Sequence, residues 1–222
     1  MAAFCIYPSQ KTNNSRLMQL VPAYFPSIGY MTELVAHPIH FTLLGNYQKQ
    51  TYRNRCSIYG SNGKLDLIIP VEHNKEKTHE KDSEVKIKWD ENWQKQHWKS
   101  LTSAYSSSPF FEFYEHELKE VLFSRTKTLA AYNLGLLACI YEWLDIEDEL
   151  LFSDQYKALT PAEESIVNPK EASSRIFPKY VQVFDNKHGF IPNLSVLDLI
   201  FNLGPESYDY LDQMANPSPS VQ

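Results

Sequence analysis

The chain has 222 residues, 43% of them hydrophobic and 22% charged, a balance that excludes a disordered or fibrous polypeptide and suits one principal domain. Its formal charge of −6 argues against general nucleic-acid binding, which needs a basic surface to neutralise phosphates, so any anion site must be local. No apolar run reaches the roughly 18–20 residues that span a bilayer, and the opening MAAFCIYPSQKTNNS lacks the basic and apolar segments of a signal peptide, so the expectation is a cytoplasmic chain without a membrane span.

Residues 1–15 mix Pro, Ser, Asn and Lys without periodicity and read as a flexible leader; a single α/β domain is expected over 16–211 and a flexible tail over 212–222. The run Arg16 to Val21 reads as a strand, Ile28 to Ala36 as a helix and His40 to Leu44 as a buried strand. Strand, loop, helix, strand predicts a parallel pair, whose ligands would sit outside the carboxyl ends of the strands, near the loop from Tyr24 to Tyr30. Gly60-Ser61-Asn62-Gly63 between two apolar runs predicts a β-hairpin. Glu72 to Ser83 is a charged loop, and Val85 to Lys88 alternates like a short strand.

A helical layer is expected over 90–150. Asp90 is a candidate N-cap for a helix carrying Trp93, His97, Leu101 and Tyr105; Ser108-Pro109 is a candidate start for the next; Leu129, Tyr132, Leu136, Ile140 and Trp143 mark a third. From Asp154 to Phe177 the composition reads as an irregular excursion, and Ser195 to Asn202 as a last short helix. Cys5, Cys56 and Cys139 are odd in number and widely spaced, which predicts reduced thiols rather than a disulfide framework or metal site. His73 and His79 have no identifiable co-ligands, so no metal is expected.

Lys49, Tyr52, Arg53, Asn54 and Arg55 form the densest group of candidate binding residues. In an extended chain Arg53 and Arg55 would project from one face and could grip a phosphate or carboxylate; the alternative is a pair of structural ion pairs. Tyr24 and Tyr30 flank the first loop, where backbone N–H groups at a helix start can face an anion. His97 shares a helical face with Trp93 and Leu101, which makes it either a general base in a ring-walled cleft or a hydrogen-bonded core histidine; Trp93 and Trp98 could stack on a sugar or base, or simply pack. Cys56 reads as a small strand residue.

The segments LVPAYFPSIGYMTELVAH, NYQKQTYRNRCSIYGSNGKLDLIIPVEH, NWQKQHWKSLTSAYSSSPFFEFY and YVQVFDNKHGFIPNLSVLDLIFNLGP, in this order, resemble the WbqC-like family from about Gln19 to Leu211. Many relatives carry Gln-Pro and a Trp in the first segment, where this chain has Val21-Pro22 and Ser27-Ile28. The resemblance implies a bacterial protein encoded with genes of surface-polysaccharide assembly, some members being labelled glycine transferases acting on an amino sugar. It therefore implies an amide-forming transferase or ligase, with His97 as catalytic base and Tyr24, Tyr30, Lys49, Tyr52, Arg53, Asn54, Arg55, Trp93 and Trp98 binding a small-molecule or nucleotide-sugar substrate. ATP is the candidate cofactor, and oligomeric state is left open. The alternatives are a non-catalytic module binding a nucleotide sugar or partner enzyme, and a structural partner whose Leu129-to-Trp143 stripe is partly exposed.

Overall fold

The computed structural model describes residues 17–72, 79–170 and 175–217; the expected leader, His73 and Cys5 lie outside them. Strand β1 (Met18–Leu20) leads through a buried loop into α1 (Ile28–Ala36), and β2 (Ile39–Phe41) returns beside β1. The two strands are parallel, Met18 opposite Ile39 and Leu20 opposite Phe41, as the strand-loop-helix-strand pattern predicts. Helix α1 covers the predicted span, with the Ser27 hydroxyl as its N-cap. A two-residue strand β5 (Leu151–Phe152) joins the far edge of β2, also parallel.

The hairpin forms from β3 (Arg55–Gly60) and β4 (Gly63–Ile68), closed where Gly60 pairs with Gly63. Gly63 takes φ +97°, the left-handed backbone that the turn requires and glycine supplies without a Cβ clash. The alternation at Val85–Lys88 yields one antiparallel bridge, Val71 to Ile87, rather than a strand. Val85 and Ile87 are nevertheless fully buried, so the alternation reports burial on one face without a ladder.

The helical layer comprises α2 (Trp93–Tyr105), α3 (Phe111–Phe123) and α4 (Leu129–Trp143). Two of the expected starts are displaced. Helix α2 begins after Asn92, so Asp90 is not its cap, and α3 begins at Phe111, because the Ser108 hydroxyl turns back to donate to the Tyr105 carbonyl at 2.6 Å. Leu129, Tyr132, Leu136 and Ile140 are buried against the core and Trp143 is partly exposed, so the stripe on α4 meets solvent only at its last residue.

The stretch expected to be irregular contains α5 (Pro161–Val167), started by a full capping box: Thr160 Oγ1 accepts from the Glu163 backbone while Glu163 Oε2 accepts from Thr160 N at 2.7 Å. A single turn α6 (Asp185–His188) follows, then α7 (Val196–Leu203), a 3₁₀ turn at Gly204–Glu206, and α8 (Ser207–Ala215), which continues past Leu211. Helix α8 packs on α1, so the chain closes against its own first helix. No helix among the described residues is long and apolar enough to cross a membrane. The architecture is α/β, with small sheets carried on helices.

Candidate functional site

The parallel strands β1 and β2 direct their carboxyl ends toward the loops 21–27 and 42–54, and these loops hold Tyr24, Lys49, Tyr52, Arg53 and Asn54 of the candidate residues. Their backbones are tied together: Tyr24 N donates to Tyr52 O at 2.8 Å, and Tyr52 N donates to Val167 O at 2.9 Å. Phe25 takes φ 38°, an unusual backbone for an aromatic residue, at the bend that turns the chain from β1 into α1. Tyr24, Tyr30 and Tyr52 are all buried. The Tyr30 hydroxyl donates to the Val21 carbonyl at 2.8 Å, which spans the loop from within.

The start of α1 does not present free donors to an anion. Ile28 N donates to Leu194 O, Gly29 N to Asn193 Oδ1, Tyr30 N to Ser27 Oγ and Met31 N to Ser27 O. The chain itself has taken the positions that a bound oxyanion would occupy. A Cβ at position 29 would lie 3.0 Å from the same Asn193 oxygen, a tight contact, so glycine here favours close packing against residue 193.

The two arginines do not share one face. The strand begins only at Arg55, and Thr51 to Asn54 turn rather than extend, so the period-two argument does not reach back to Arg53. Arg53 is 4% exposed, and its Nε donates to Asp82 Oδ1 at 2.8 Å. A second guanidinium nitrogen, Nη1, donates to Thr51 Oγ1 at 3.3 Å. This is the structural ion pair that stood as the alternative, and it is buried. Burial pushes the Asp82 carboxyl above its ordinary range even though Arg53 pulls the other way.

Arg55 is less engaged. Its Nη1 stands 3.8 Å from Asp66 Oδ2, too far for a hydrogen bond, and its Nε is buried without a partner among the described residues. Asp66 is held by the Ser57 hydroxyl at 2.7 Å, the residue directly opposite it in the hairpin register. Tyr47 stands near both arginines, and its hydroxyl is likewise buried and without a partner among the described residues. Burial pushes the Tyr47 phenol up to about 12, against the opposing pull of Arg53. Asn54 Nδ2 donates to Ile69 O at 3.0 Å, and Asn133 Nδ2 donates to both Pro22 O and Arg53 O, so these two amides brace the loops from below. Lys49 is exposed on the turn before them.

His97 is 5% exposed and shares a 2.8 Å hydrogen bond between Nδ1 and the Tyr24 hydroxyl. The Ile68 backbone favours the charged ring, against the larger effect of burial. Burial depresses its pKa to about 4, so the ring is neutral near pH 7. Trp93 packs edge-on against it at 5.2 Å and against Tyr132 at 5.7 Å. The core-histidine alternative describes these contacts, and the imidazole expected to act as a general base has its Nδ1 engaged by Tyr24. Trp98 belongs to a different neighbourhood, against Phe111 and beneath the Lys119 ammonium on α3.

Cys56 is buried on β3 and its thiol is pushed well above its usual range by burial, in accord with a strand residue. Among the described residues no cluster of His, Cys, Asp and Glu has metal-ligand geometry. Sequence reasoning passed over Tyr47, Asp66 and Asp82. The hairpin register made Asp66 findable, since it faces Ser57 and lies diagonal to Arg55; Asp82 sits in a charged loop with no local signal of its role.

A model of the WbqC-like protein family matches residues 21–175, and the chain belongs to that family. It is 30% identical over 219 residues to the protein of Mycobacterium tuberculosis (strain ATCC 25618 / H37Rv) named Uncharacterized protein Rv1507c, an alignment covering 85% of this chain and 94% of that relative. No solved structure gives a significant match.

Proposed function

We propose that the protein is an amide-forming transferase or ligase that delivers an aminoacyl or acyl group, glycyl among the candidates, to an amino sugar in bacterial surface-polysaccharide biosynthesis, of the O-antigen or lipopolysaccharide kind. The observation that carries this reading is the polar cluster formed by Tyr47 and Arg53 in the loop that follows β2, Arg55 at the start of β3 and Asp82 brought in from the loop after β4, beyond the carboxyl end of a parallel strand, where open α/β sheets bind their ligands. Tyr47 Oη and Arg55 Nε are buried donors without partners among the described residues, and buried donors of native proteins are otherwise nearly always satisfied. In this reading Arg55 and Tyr47 contact substrate, Lys49 reaches it from the exposed turn, and Tyr24, Tyr30, Tyr52, Arg53 and Asn54 hold the loops in shape. His97 positions Tyr24 rather than accepting a proton. ATP is the candidate source of acyl activation.

The test is a reconstituted reaction containing a nucleotide-linked amino sugar, glycine or another amino acid, and ATP, followed by mass spectrometry. The expected result is a sugar heavier by one aminoacyl residue, with Arg55→Ala abolishing it. Absence of product under saturating substrate overturns the transferase reading.

A second reading, a non-catalytic module for a nucleotide sugar or partner enzyme, is favoured by His97, which is buried with its Nδ1 engaged by the Tyr24 hydroxyl. It predicts saturable nucleotide-sugar binding with no product at any ATP concentration.

A further inference from the structure

We propose that two copies of the chain associate through the outer edge of β4, strand against strand across a twofold axis at Leu65, with Lys64 of each copy opposite Asp66 of the other.

The edge is open at the residues this pairing uses. Strand β4 is hydrogen-bonded on one side only, to β3. In an antiparallel pair every second residue turns its backbone N–H and C=O away from the partner strand. Ile69 N donates to Asn54 O at 2.8 Å in the register of the hairpin, so Leu67 and Leu65, two and four residues back, are likewise bonded to β3. The N–H and C=O groups of Lys64 and Asp66 therefore point outward. Further along, the chain covers this side itself, since Lys88 N donates to Pro70 O at 3.0 Å and Glu72 N to Lys86 O at 2.9 Å. Among the described residues no such backbone bond reaches Lys64 or Asp66. Leu65 and Ile68 are 40% and 45% exposed, so the free stretch also carries apolar side chains, and an uncovered strand edge of this kind is a template for another strand.

The order of the charges selects a second copy as the occupant. A twofold axis through the middle of a strand pairs that strand antiparallel with itself. With the axis at Leu65, Lys64 and Asp66 form two reciprocal hydrogen-bonded pairs of opposite charge, and the two Leu65 side chains meet at the position between them, where side chains approach most closely. The neighbouring registers that also bring outward backbone groups together put the axis at Asp66 or at Lys64, and each sets like charges directly opposite, which destabilises a pair. Lys64 is exposed, and Asp66 accepts from Ser57 through Oδ1 while its Oδ2 stays 3.8 Å from Arg55, so both charges are available to a second strand. The pairing joins two two-stranded hairpins into one four-stranded sheet.

The experiment is sedimentation velocity on the full chain over a concentration series, with circular dichroism to verify folding of every variant. Wild type is expected to form a reversible dimer, and Lys64→Asp and Asp66→Lys each to weaken association about tenfold or more, because each substitution makes both cross-strand pairs like-charged. An equimolar mixture of the two variants restores opposite charges in both pairs and is expected to dimerise, as is the double variant K64D/D66K with itself. Hydrogen exchange on wild type tests the same register without any substitution: the amides of Lys64 and Asp66 should gain protection as concentration rises. A wild type that stays monomeric throughout, single variants that associate like wild type, folded variants whose mixture stays monomeric, or a dimer without new protection at these amides overturns the proposal.

Discussion

His97 illustrates how strongly one residue's surroundings set its chemistry. An imidazole on the buried face of α2, bonded to Tyr24 and packed edge-on by Trp93, is held neutral because burial penalises the cation. Its pKa falls from 6.5 to about 4, so the unfolded chain takes up a proton between those values while the folded chain does not. Stability is therefore complete above about pH 6.5 and declines as the pH falls toward 4, by about 3 kcal/mol in total if this group acts alone. Urea denaturation from pH 7 to pH 4 should show this decline, and His97→Gln, which keeps a polar group without the titration, should flatten it. An unchanged slope in that variant would remove the assigned role. Helical spacing alone leaves two fates open for this residue, because a half-buried face is legible in sequence but the tyrosine 73 positions away that engages its Nδ1 is not.

Helix α5 carries more than its seven residues imply. Its capping carboxylate, Glu163, accepts from Thr160 N and Thr160 Oγ1 through one oxygen and from Gln19 N, at 2.8 Å, through the other. Burial alone would raise the Glu163 pKa, and these bonds bring it below its usual value instead. The helix start is thereby fastened to β1, the strand that leads into the candidate site. Thr160→Ala should cost about 1 kcal/mol, the ordinary value of a cap, whereas Glu163→Ala should cost roughly 2 kcal/mol because it also strands the β1 amide. Equal losses in the two variants, measured by thermal or urea unfolding, would mean the link to β1 contributes nothing. The cap was available in Thr160-Pro161-Ala162-Glu163, a complete capping-box pattern with proline at the first helical position, yet the surrounding Pro, Glu and Ser content reads as irregular chain. Composition averaged over the stretch concealed a signal that four residues carry.

At the scale of the molecule, the segment from Tyr180 to Ser195 is joined to the helices by one buried carboxylate. Asp198 on α7 accepts from the Tyr180 hydroxyl at 2.5 Å and from Gln182 Nε2 at 2.8 Å, and Gln182 in turn bonds Ile191 through both ends of its amide. The Tyr59 hydroxyl, from β3, donates to Gly189 O at 2.6 Å, so the hairpin holds the same segment from the other side. This segment carries Asn193, which closes the start of α1. Asp198→Ala removes the shared acceptor, and hydrogen exchange should then rise across 180–195 while α4 keeps its protection. Uniform acceleration over the whole chain would indicate global destabilisation instead of release of one segment.

The sequence by itself determined the family, the α/β class, the parallel β1–β2 pair, α1, the hairpin and the apolar face of α4. Each follows from periodicity, turn chemistry or ordered motif blocks, which act between residues close along the chain. Tertiary structure alone decided how the arginines are used. Arg53 and Arg55 look equivalent two positions apart, but the chain turns before Arg55, Asp82 comes in from 29 residues away to neutralise Arg53, and Arg55 is left with a distant, partly solvated Asp66. Charge neutralisation depends on which side chains meet after folding, and burial multiplies its effect, so the difference between a closely paired cation and a loosely paired one lies in long-range contacts that local sequence does not encode.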